Sequence, residues 1–364
     1  MTSTHLGLLA SLTLFAGASW PKLSSADQPI EMGTVRWNRD YEAAMLLARE
    51  TDRPLFVQFQ EIPGCATCQR YGTGPLSHPL IVEALETEFV PVLIYNNRGG
   101  TDAALLKRFS ETAWNNPVSR YLDANGKDLI PRRPGIWSTT GVAQQMVAAL
   151  EAAKRTVPNY LFGVAATDSS RLERATFAMG CFWEGESLLG SINGVVATHV
   201  GWWDGREVVD LLFDPQQADY RTLVETARTM KCTSKVFTRS PAQLRIAQQL
   251  VGEQAVSIDP QAVVRNASLS DQKYYLRRSP LIHAPLTPFQ ATKLNSALRL
   301  KQPIAIWLSP RQTELVQQIA ATTRRTPGSL DQFEVPSEES ELAVYWQKLS
   351  EHLAELPKGQ AASD

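Results

Sequence analysis

The chain has 364 residues, of which 43% are hydrophobic, so it can build about two domains with ordinary cores. Its formal net charge is -1 and its arginine doublets are scattered along the chain. This charge pattern excludes a basic nucleic-acid-binding surface, and we expect no nucleic-acid partner.

The N-terminal segment indicates export. Residues 6–18 form an apolar run that is too short to span a bilayer as a mature helix, and no later stretch is long and apolar enough to do so. Small-x-small cleavage sequences follow at 16–18 and 24–26. We therefore expect residues 1–26 to be a signal peptide, and the mature protein to be periplasmic or secreted without stable membrane insertion. Because no Lys or Arg precedes the apolar run, a buried or frayed N-terminal helix is the alternative.

Residues 35–155 predict a first domain of the α/β class. Its two buried strands are indicated by the apolar runs at 54–60 and 89–97, each bounded by polar residues or proline. Helical patterns stand before, between and after these strands, the last of them over 140–155. Residues 118–129 predict a hairpin with Asn-Gly at its turn.

Cys65 and Cys68 follow directly on the first predicted strand and begin a helix. The unpaired N–H groups of a helix N-terminus favour the thiolate form of Cys65, and Cys68, one turn later, can attack a mixed disulfide. A metal clip is the alternative interpretation. Zinc commonly needs four N or S ligands, and no second CxxC or His pair accompanies this one, so we predict no metal site.

The segments QEIPGCATCQRYG, LSHPLIVEALE and AWNNPVSR resemble the thioredoxin-like (seleno)protein family with a VPG-Sec-x-x-T type motif. The resemblance covers about 35–150 and implies a thioredoxin-like fold. It implies that Cys65, at the position of selenocysteine, is the nucleophile and that Cys68 is the resolving thiol. Because thioredoxin-like folds place a cis-proline beside the CxxC, Pro117 is the cis-proline candidate.

The remaining chain predicts a linker, a second domain and a helical extension. Residues 156–174 have no clear period and a polar end, which favours a linker. Residues 175–284 alternate strands and helices, as in an α+β domain. Residues 285–364 are mostly helical, and the last helix, within 337–356, carries one apolar stripe that is typical of a packing face.

Cys181 lies in the sequence GCFW, where a predicted strand gives way to a helix. A cysteine in the first turn gains thiolate character from the unpaired backbone N–H groups. Phe182 and Trp183 would form an apolar surface beside it, which suits attack on a sulfoxide that carries a methyl group. A buried core cysteine is the alternative.

The GCFW motif and the segments GVVATHVGWWDG, REVVDLLFDPQQADYRTLVE, KVFTRSPAQ and SDQKYYLR resemble the catalytic domain of peptide methionine sulfoxide reductase A over 175–280. The resemblance implies that Cys181 attacks the sulfoxide sulfur and becomes a sulfenic acid, while Glu207 protonates the oxygen. It implies a protein or peptide methionine sulfoxide as substrate, a thiol reductant and no cofactor. Three aromatic residues are the expected substrate-binding surface: Phe182, Trp183 and Trp202.

This sequence departs from that family around the pocket. The loop before Glu207 is shorter, so its tyrosine has no counterpart, and the Asp and Tyr of the family's DHGTQYRS segment are absent. Asp271 stands nearest to the family's missing His. Each lost donor typically costs about 10²–10³ in rate. The departures therefore predict a slow reductase, a reductase for a different substrate, or a domain that no longer reduces sulfoxides. Cys232, near a missing tyrosine, is a possible resolving thiol, and a core cysteine is the alternative.

The two resemblances together predict an exported thiol-dependent oxidoreductase in which a thioredoxin-like domain reduces a peptide-methionine (S)-S-oxide reductase domain. A general thiol–disulfide oxidoreductase, whose second domain only binds or positions substrates, is the first alternative. A metal-binding or scaffold protein is the second.

Overall fold

The computed structural model describes residues 28–112, 114, 117–168, 170–230, 234–336 and 339–356. Within these residues no helix has the length and hydrophobicity needed to cross a membrane. The predicted signal peptide and Cys232 lie outside the described residues.

The N-terminal unit is a three-stranded sheet flanked by helices, with strand order β2-β1-β3. Its strands are β1 (Leu55–Gln60), β2 (Val90–Tyr95) and β3 (Val118–Leu122). Its helices are α1 (Tyr41–Thr51), α2 (Ala66–Thr73), α3 (Pro79–Thr87), α4 (Thr101–Arg108) and α5 (Thr139–Ala152). All six positions of β1 are buried, which explains its continuous apolar run.

The pairing of β1 determines what surrounds its end. β1 runs parallel to β2 and antiparallel to β3, with Phe59 opposite Val118. The carboxyl end of β1 therefore lies beside the beginning of β3. The loop that carries the CxxC leaves from this end of β1, and Pro117 directly precedes β3.

The segment predicted to be a linker, 156–174, contains a helix, α6 (Asn159–Ala165), which packs against α3 and α5. Tyr160, Leu161 and Val164 are buried in the core of the N-terminal unit. This part of the segment is therefore built into the fold. The helix spans only seven residues, too few for a readable hydrophobic period.

The second unit is a six-stranded sheet in the order β8-β7-β4-β6-β5-β9, antiparallel except for the β7–β8 pair. Its strands are β4 (Glu173–Ala178), β5 (Val195–Trp203), β6 (Arg206–Phe213), β7 (Lys235–Thr238), β8 (Ala255–Ser257) and β9 (Arg265–Asn266). Its helices are α7 (Phe182–Gly190), α8 (Tyr220–Thr229), α9 (Pro241–Val251) and α10 (Tyr274–Arg277).

The C-terminal extension contains α11 (Pro288–Leu300), α12 (Pro310–Arg325) and α13 (Leu342–Glu355), and it bridges both units. α11 packs on α7 and β5 of the second unit and on α6 of the first. Gly163 lies against the Phe289 ring so closely that a Cβ there would be 2.4 Å from a ring carbon. Leu342 of α13 belongs to the core of the N-terminal unit.

A buried carboxylate completes this bridge. Glu83 on α3 is fully buried, and its two oxygens accept hydrogen bonds from the Ser309 hydroxyl (2.6 Å) and the Arg311 backbone N–H (2.8 Å). Burial raises the pKa of Glu83. Since Ser309 caps the N-terminus of α12, Glu83 fixes the start of that helix on the N-terminal unit.

Candidate active sites

The first site is the reduced dithiol at the beginning of α2. Cys65 occupies the N-cap position and is exposed, whereas Cys68 is fully buried, and their sulfur atoms are 3.7 Å apart. All three described cysteines are free thiols. The arrangement provides one accessible sulfur for attack and one protected sulfur within reach of it.

The two thiols of this pair titrate in opposite directions. The pKa of Cys65 is lowered, chiefly because its sulfur accepts a hydrogen bond from the backbone N–H of Cys68. Burial raises the pKa of Cys68 to about 11. This asymmetry agrees with the predicted roles, because the thiolate is the attacking species.

Polar groups beneath the loop hold the dithiol in place. Buried Gln60, the last residue of β1, donates from its amide nitrogen to the Cys68 carbonyl (3.1 Å) and to the Glu31 carbonyl. The Glu31 carboxylate accepts the Gly64 backbone N–H (2.8 Å). Neither residue was singled out from the sequence, since an apolar strand pattern gives no signal for a buried polar side chain at its end.

Pro117 is buried at the start of β3, and its carbonyl accepts the Trp137 indole N–H (3.1 Å). The peptide bond that precedes it includes Asn116, which lies outside the described residues, so its predicted cis geometry stays a prediction. The described residues contain a cis peptide bond at Ile62–Pro63.

The second site surrounds Cys181, the half-buried N-cap residue of α7. Glu207, near the beginning of β6, sends its carboxylate to this helix end, where Oε2 accepts the Phe182 backbone N–H (2.9 Å). The register of β5 and β6 places Glu207 opposite Trp202. The backbone carbonyl of Glu207 accepts the Met179 N–H (2.9 Å). The structure therefore brings Glu207 to the residue adjacent to Cys181.

The predicted aromatic surface forms around this helix end. The Phe182 ring packs edge-on against Trp202, with centroids 5.8 Å apart, and tilted against Trp183 at 6.0 Å. Phe182 is buried, while Trp183 and Trp202 are partly exposed and so accessible to a substrate. The cysteine, the carboxylate and the three aromatic residues predicted from the sequence therefore lie in one site.

Two more residues belong to this site. The Tyr274 ring stacks on Trp183 with centroids 3.9 Å apart, and the Asp271 carboxylate accepts the Trp183 indole N–H (3.2 Å). Gln272 holds their segment against β5 by accepting the Val200 N–H (3.0 Å) and donating to its carbonyl (2.7 Å). From the sequence, Asp271 was noted only as the residue nearest to the position where the family has a histidine. Tyr274 was not singled out.

A buried ionic network fixes α7, the helix that carries Cys181 at its N-cap. Glu186 on α7 is fully buried and accepts hydrogen bonds from the Lys273 ammonium (2.7 Å), the Thr198 hydroxyl (3.1 Å) and the Asn295 amide (3.3 Å). The network connects α7 to β5, to the residue before α10 and to α11. A charged residue on the buried face of a helix was the available sequence signal for it.

The other end of α7 is capped by the extension. The Lys293 ammonium on α11 donates to the carbonyls of Gly190 (2.9 Å) and Ile192 (2.7 Å). Burial lowers the pKa of Lys293 to about 7. These two hydrogen bonds satisfy carbonyl groups at and just after the end of α7, so α11 helps to fix the helix that carries Cys181.

Comparison with known proteins gives matches to two kinds of protein. Residues 36–124 match the thioredoxin-like family profile. The chain is 37% identical over 70 residues to the peptide methionine sulfoxide reductase MsrA of Streptomyces coelicolor, covering 16% of this chain and 41% of that protein. The same-named protein of Geobacter metallireducens is 30% identical over 91 residues, covering 20% and 56%. That of Mycobacterium ulcerans is 28% identical over 145 residues, covering 30% and 85%.

The chain thus spans only about half the length of the first two of these relatives. A solved structure titled DsbH Oxidoreductase aligns with a TM-score of 0.28 at 19% identity, over 38% of this chain and 96% of that one. The matches confirm the predicted thioredoxin-like domain fused to a domain similar to peptide methionine sulfoxide reductases, and with it the mixed α/β fold class. The selenoprotein motif is not tested by them and stays a resemblance.

Proposed function

We propose that this protein reduces methionine-S-sulfoxide in proteins or peptides, with Cys181 as the nucleophile and the thioredoxin-like domain as its built-in reductant. The observation that carries the proposal is the meeting of the Glu207 carboxylate with the N-cap of α7, 2.9 Å from the Phe182 N–H and beside an aromatic surface. The similarity to named MsrA proteins supports it.

In the first step, the Cys181 sulfur attacks the sulfoxide sulfur. The sulfoxide oxygen accepts a proton from Glu207 and is transferred to Cys181, which becomes a sulfenic acid, while methionine leaves with two more electrons. One Glu207 oxygen is engaged by the Phe182 N–H. The second oxygen of the Glu207 carboxyl group is the one that we assign as the proton donor to the sulfoxide oxygen. The rings of Trp183 and Trp202 would hold the methyl group.

A thiol then attacks the sulfenic sulfur, so that a disulfide forms and the oxygen leaves as water. We assign this step to Cys232. The described chain resumes two residues after it at Ser234, whose backbone N–H donates to the Ala178 carbonyl, three residues before Cys181. Cys65 then attacks this disulfide and forms a mixed disulfide with one of its sulfurs, while the other leaves as a thiol. Cys68 attacks the Cys65 sulfur, which releases the second thiol and leaves a Cys65–Cys68 disulfide, and an external thiol reductant reduces that disulfide to the dithiol.

A second candidate function is general thiol–disulfide exchange, with the second domain serving only to bind or position substrates. The exposed Cys65 with its lowered pKa favours this activity by itself. Both functions suit an exported protein, and we propose periplasmic or secreted localisation from the N-terminal sequence.

The proposal is tested with a peptide containing either methionine-S-sulfoxide or methionine-R-sulfoxide, with dithiothreitol as reductant. We expect reduction of the S form alone, abolished in Cys181→Ser. Glu207→Gln should lower kcat by about 10²–10⁴, the usual contribution of a general acid. Glu225→Gln, an exposed glutamate on α8, is the matched control and should leave kcat unchanged.

The relay is tested by the reductant. With a thioredoxin system in place of dithiothreitol, Cys65→Ser should lose turnover but retain a single turnover at Cys181. If full activity persists in Cys181→Ser, or if insulin is reduced while neither sulfoxide is, the sulfoxide proposal is wrong and general thiol–disulfide exchange is supported.

A further inference from the structure

We infer that the reduced CxxC is also a binding site for a thiophilic divalent metal ion, with Zn²⁺ as the expected ion and Glu61 as its third protein ligand. In the part of the chain that the structure describes, Glu61, Cys65 and Cys68 are the one group of three metal-ligating side chains whose ligand atoms all lie within 4.8 Å of one another. Metal binding was rejected from the sequence for want of further ligands, and the fold supplies one.

The separation of the sulfur atoms fits a tetrahedral ion. Two thiolates at a Zn–S distance of about 2.3 Å lie about 3.8 Å apart across a tetrahedral site. The sulfurs of Cys65 and Cys68 are 3.7 Å apart in the structure, so the pair is already set for such an ion. A disulfide would require about 2.05 Å.

The carboxylate needs only a small movement. A tetrahedral site places a carboxylate oxygen about 3.6 Å from each thiolate sulfur. The Glu61 oxygen lies within 4.8 Å of both sulfurs, and its half-exposed side chain can close a gap of about 1 Å by rotation. Ligands of two thiolates and one carboxylate leave the fourth position to water.

The turn before α2 creates this juxtaposition. β1 ends at Gln60, so Glu61 is the first residue of the turn. Gly64 allows the chain to fold back tightly, because a Cβ there would lie 2.4 Å from the Glu61 carbonyl oxygen and 2.7 Å from the Cys68 Cβ. Glu61 and Cys68 therefore become neighbours although they are seven positions apart in the sequence.

Metal binding would compete with the redox chemistry of the same pair. Each thiol loses a proton to solvent when it binds Zn²⁺. A thiolate that is bound to the ion cannot attack a disulfide, because its electron pair is engaged by the metal. A substrate disulfide oxidises the pair to the Cys65–Cys68 disulfide by taking up its two electrons and leaving as two thiols. This oxidation removes both sulfur ligands and releases the ion. Zn²⁺ therefore binds only when Cys65 and Cys68 are reduced. The inference does not depend on sulfoxide reduction at Cys181.

The experiment uses the full-length Cys181→Ser protein, reduced and kept free of oxygen, and Co²⁺ as a spectroscopic substitute for Zn²⁺. We expect a thiolate-to-cobalt charge-transfer band that saturates at one equivalent and disappears when Zn²⁺ is added. Cys65→Ser should abolish the band, as should oxidation to the disulfide. Glu61→Gln should weaken Co²⁺ and Zn²⁺ binding by at least about tenfold.

Glu50→Gln, at an exposed position on α1, is the matched charge control and should bind as the parent does. Far-UV circular dichroism and thermal melting establish that each variant is folded. The inference is overturned if Glu61→Gln and Glu50→Gln bind equally tightly, if no charge-transfer band appears at one equivalent, or if the oxidised protein binds Co²⁺ as strongly as the reduced protein. Because Cys181 is already replaced, failure of the proposed reductase leaves this result unaffected.

Discussion

The backbone N–H of residue 68, more than the Cys68 side chain, should set the reactivity of Cys65. The hydrogen bond from this N–H is the largest contribution that lowers the pKa of Cys65, and the Cys68 side chain contributes less. The pair of variants Cys68→Ser and Cys68→Pro separates the two contributions. Both variants remove the Cys68 thiol, but only proline also removes the N–H.

The structure gives the size of the contrast in the unaltered protein. The pKa of Cys68 rises from 9.0 to about 11, which lowers its thiolate fraction at pH 7 about a hundredfold. The pKa of Cys65 moves in the opposite direction. Iodoacetamide should therefore modify Cys65 at least about ten times faster than Cys68 at pH 7, because the lower thiolate fraction of Cys68 outweighs the greater nucleophilicity of a more basic thiolate. Burial of Cys68 adds to the difference.

The assay is the rate of iodoacetamide modification of Cys65 between pH 5 and 10, followed by mass spectrometry. In Cys68→Ser the midpoint should stay below 9.0, the ordinary value for a cysteine thiol. In Cys68→Pro it should shift upward. Proline is tolerated here because residue 68 lies in the first turn of α2, where N–H groups have no intrahelical partner. Equal midpoints in two variants shown to be folded by circular dichroism would refute the reasoning.

Three further outcomes follow from the buried charges. Glu83→Ala should lower the free energy of unfolding by about 3 kcal/mol or more in urea denaturation, because two hydrogen bonds to a buried carboxylate are lost; Glu50→Ala, at an exposed position, should change it little. Glu186→Ala should cost about 3–5 kcal/mol, since it leaves the Lys273 ammonium without its carboxylate, and an undiminished unfolding midpoint would contradict this. Burial lowers the pKa of Lys293 from 10.5 to about 7, so between these pH values the unfolded chain binds more protons than the folded chain, and the free energy of unfolding should rise with pH from about 7 to 10.5. Lys293→Met should flatten this rise. Identical pH profiles of the variant and the unaltered protein would exclude Lys293 as its cause.

The two candidate thiol sites could be located from the sequence because each is encoded within a short segment. Cys65 lies five positions after the end of β1, at the start of α2. Cys181 lies three positions after the end of β4, at the start of α7. A strand followed by a cysteine at a helix start is a local pattern, and for Cys65 the pKa is lowered chiefly by a backbone N–H of the same helix. Glu207 is different, because only the family resemblance pointed to it, and the pairing of β5 with β6 positions it.

The remaining features depend on contacts between residues far apart in the chain. Ser309 and Glu83 are separated by 226 residues, and Trp183 and Asp271 by 88. No hydrophobic period or motif encodes such pairs, because they arise only when the elements pack. The sequence therefore determined the thiols, the order of the domains and the chemistry to which they are suited. Tertiary structure decided the rest: that the extension bridges the two units, that Tyr274 completes the aromatic surface, and that a tight turn brings Glu61 to the dithiol.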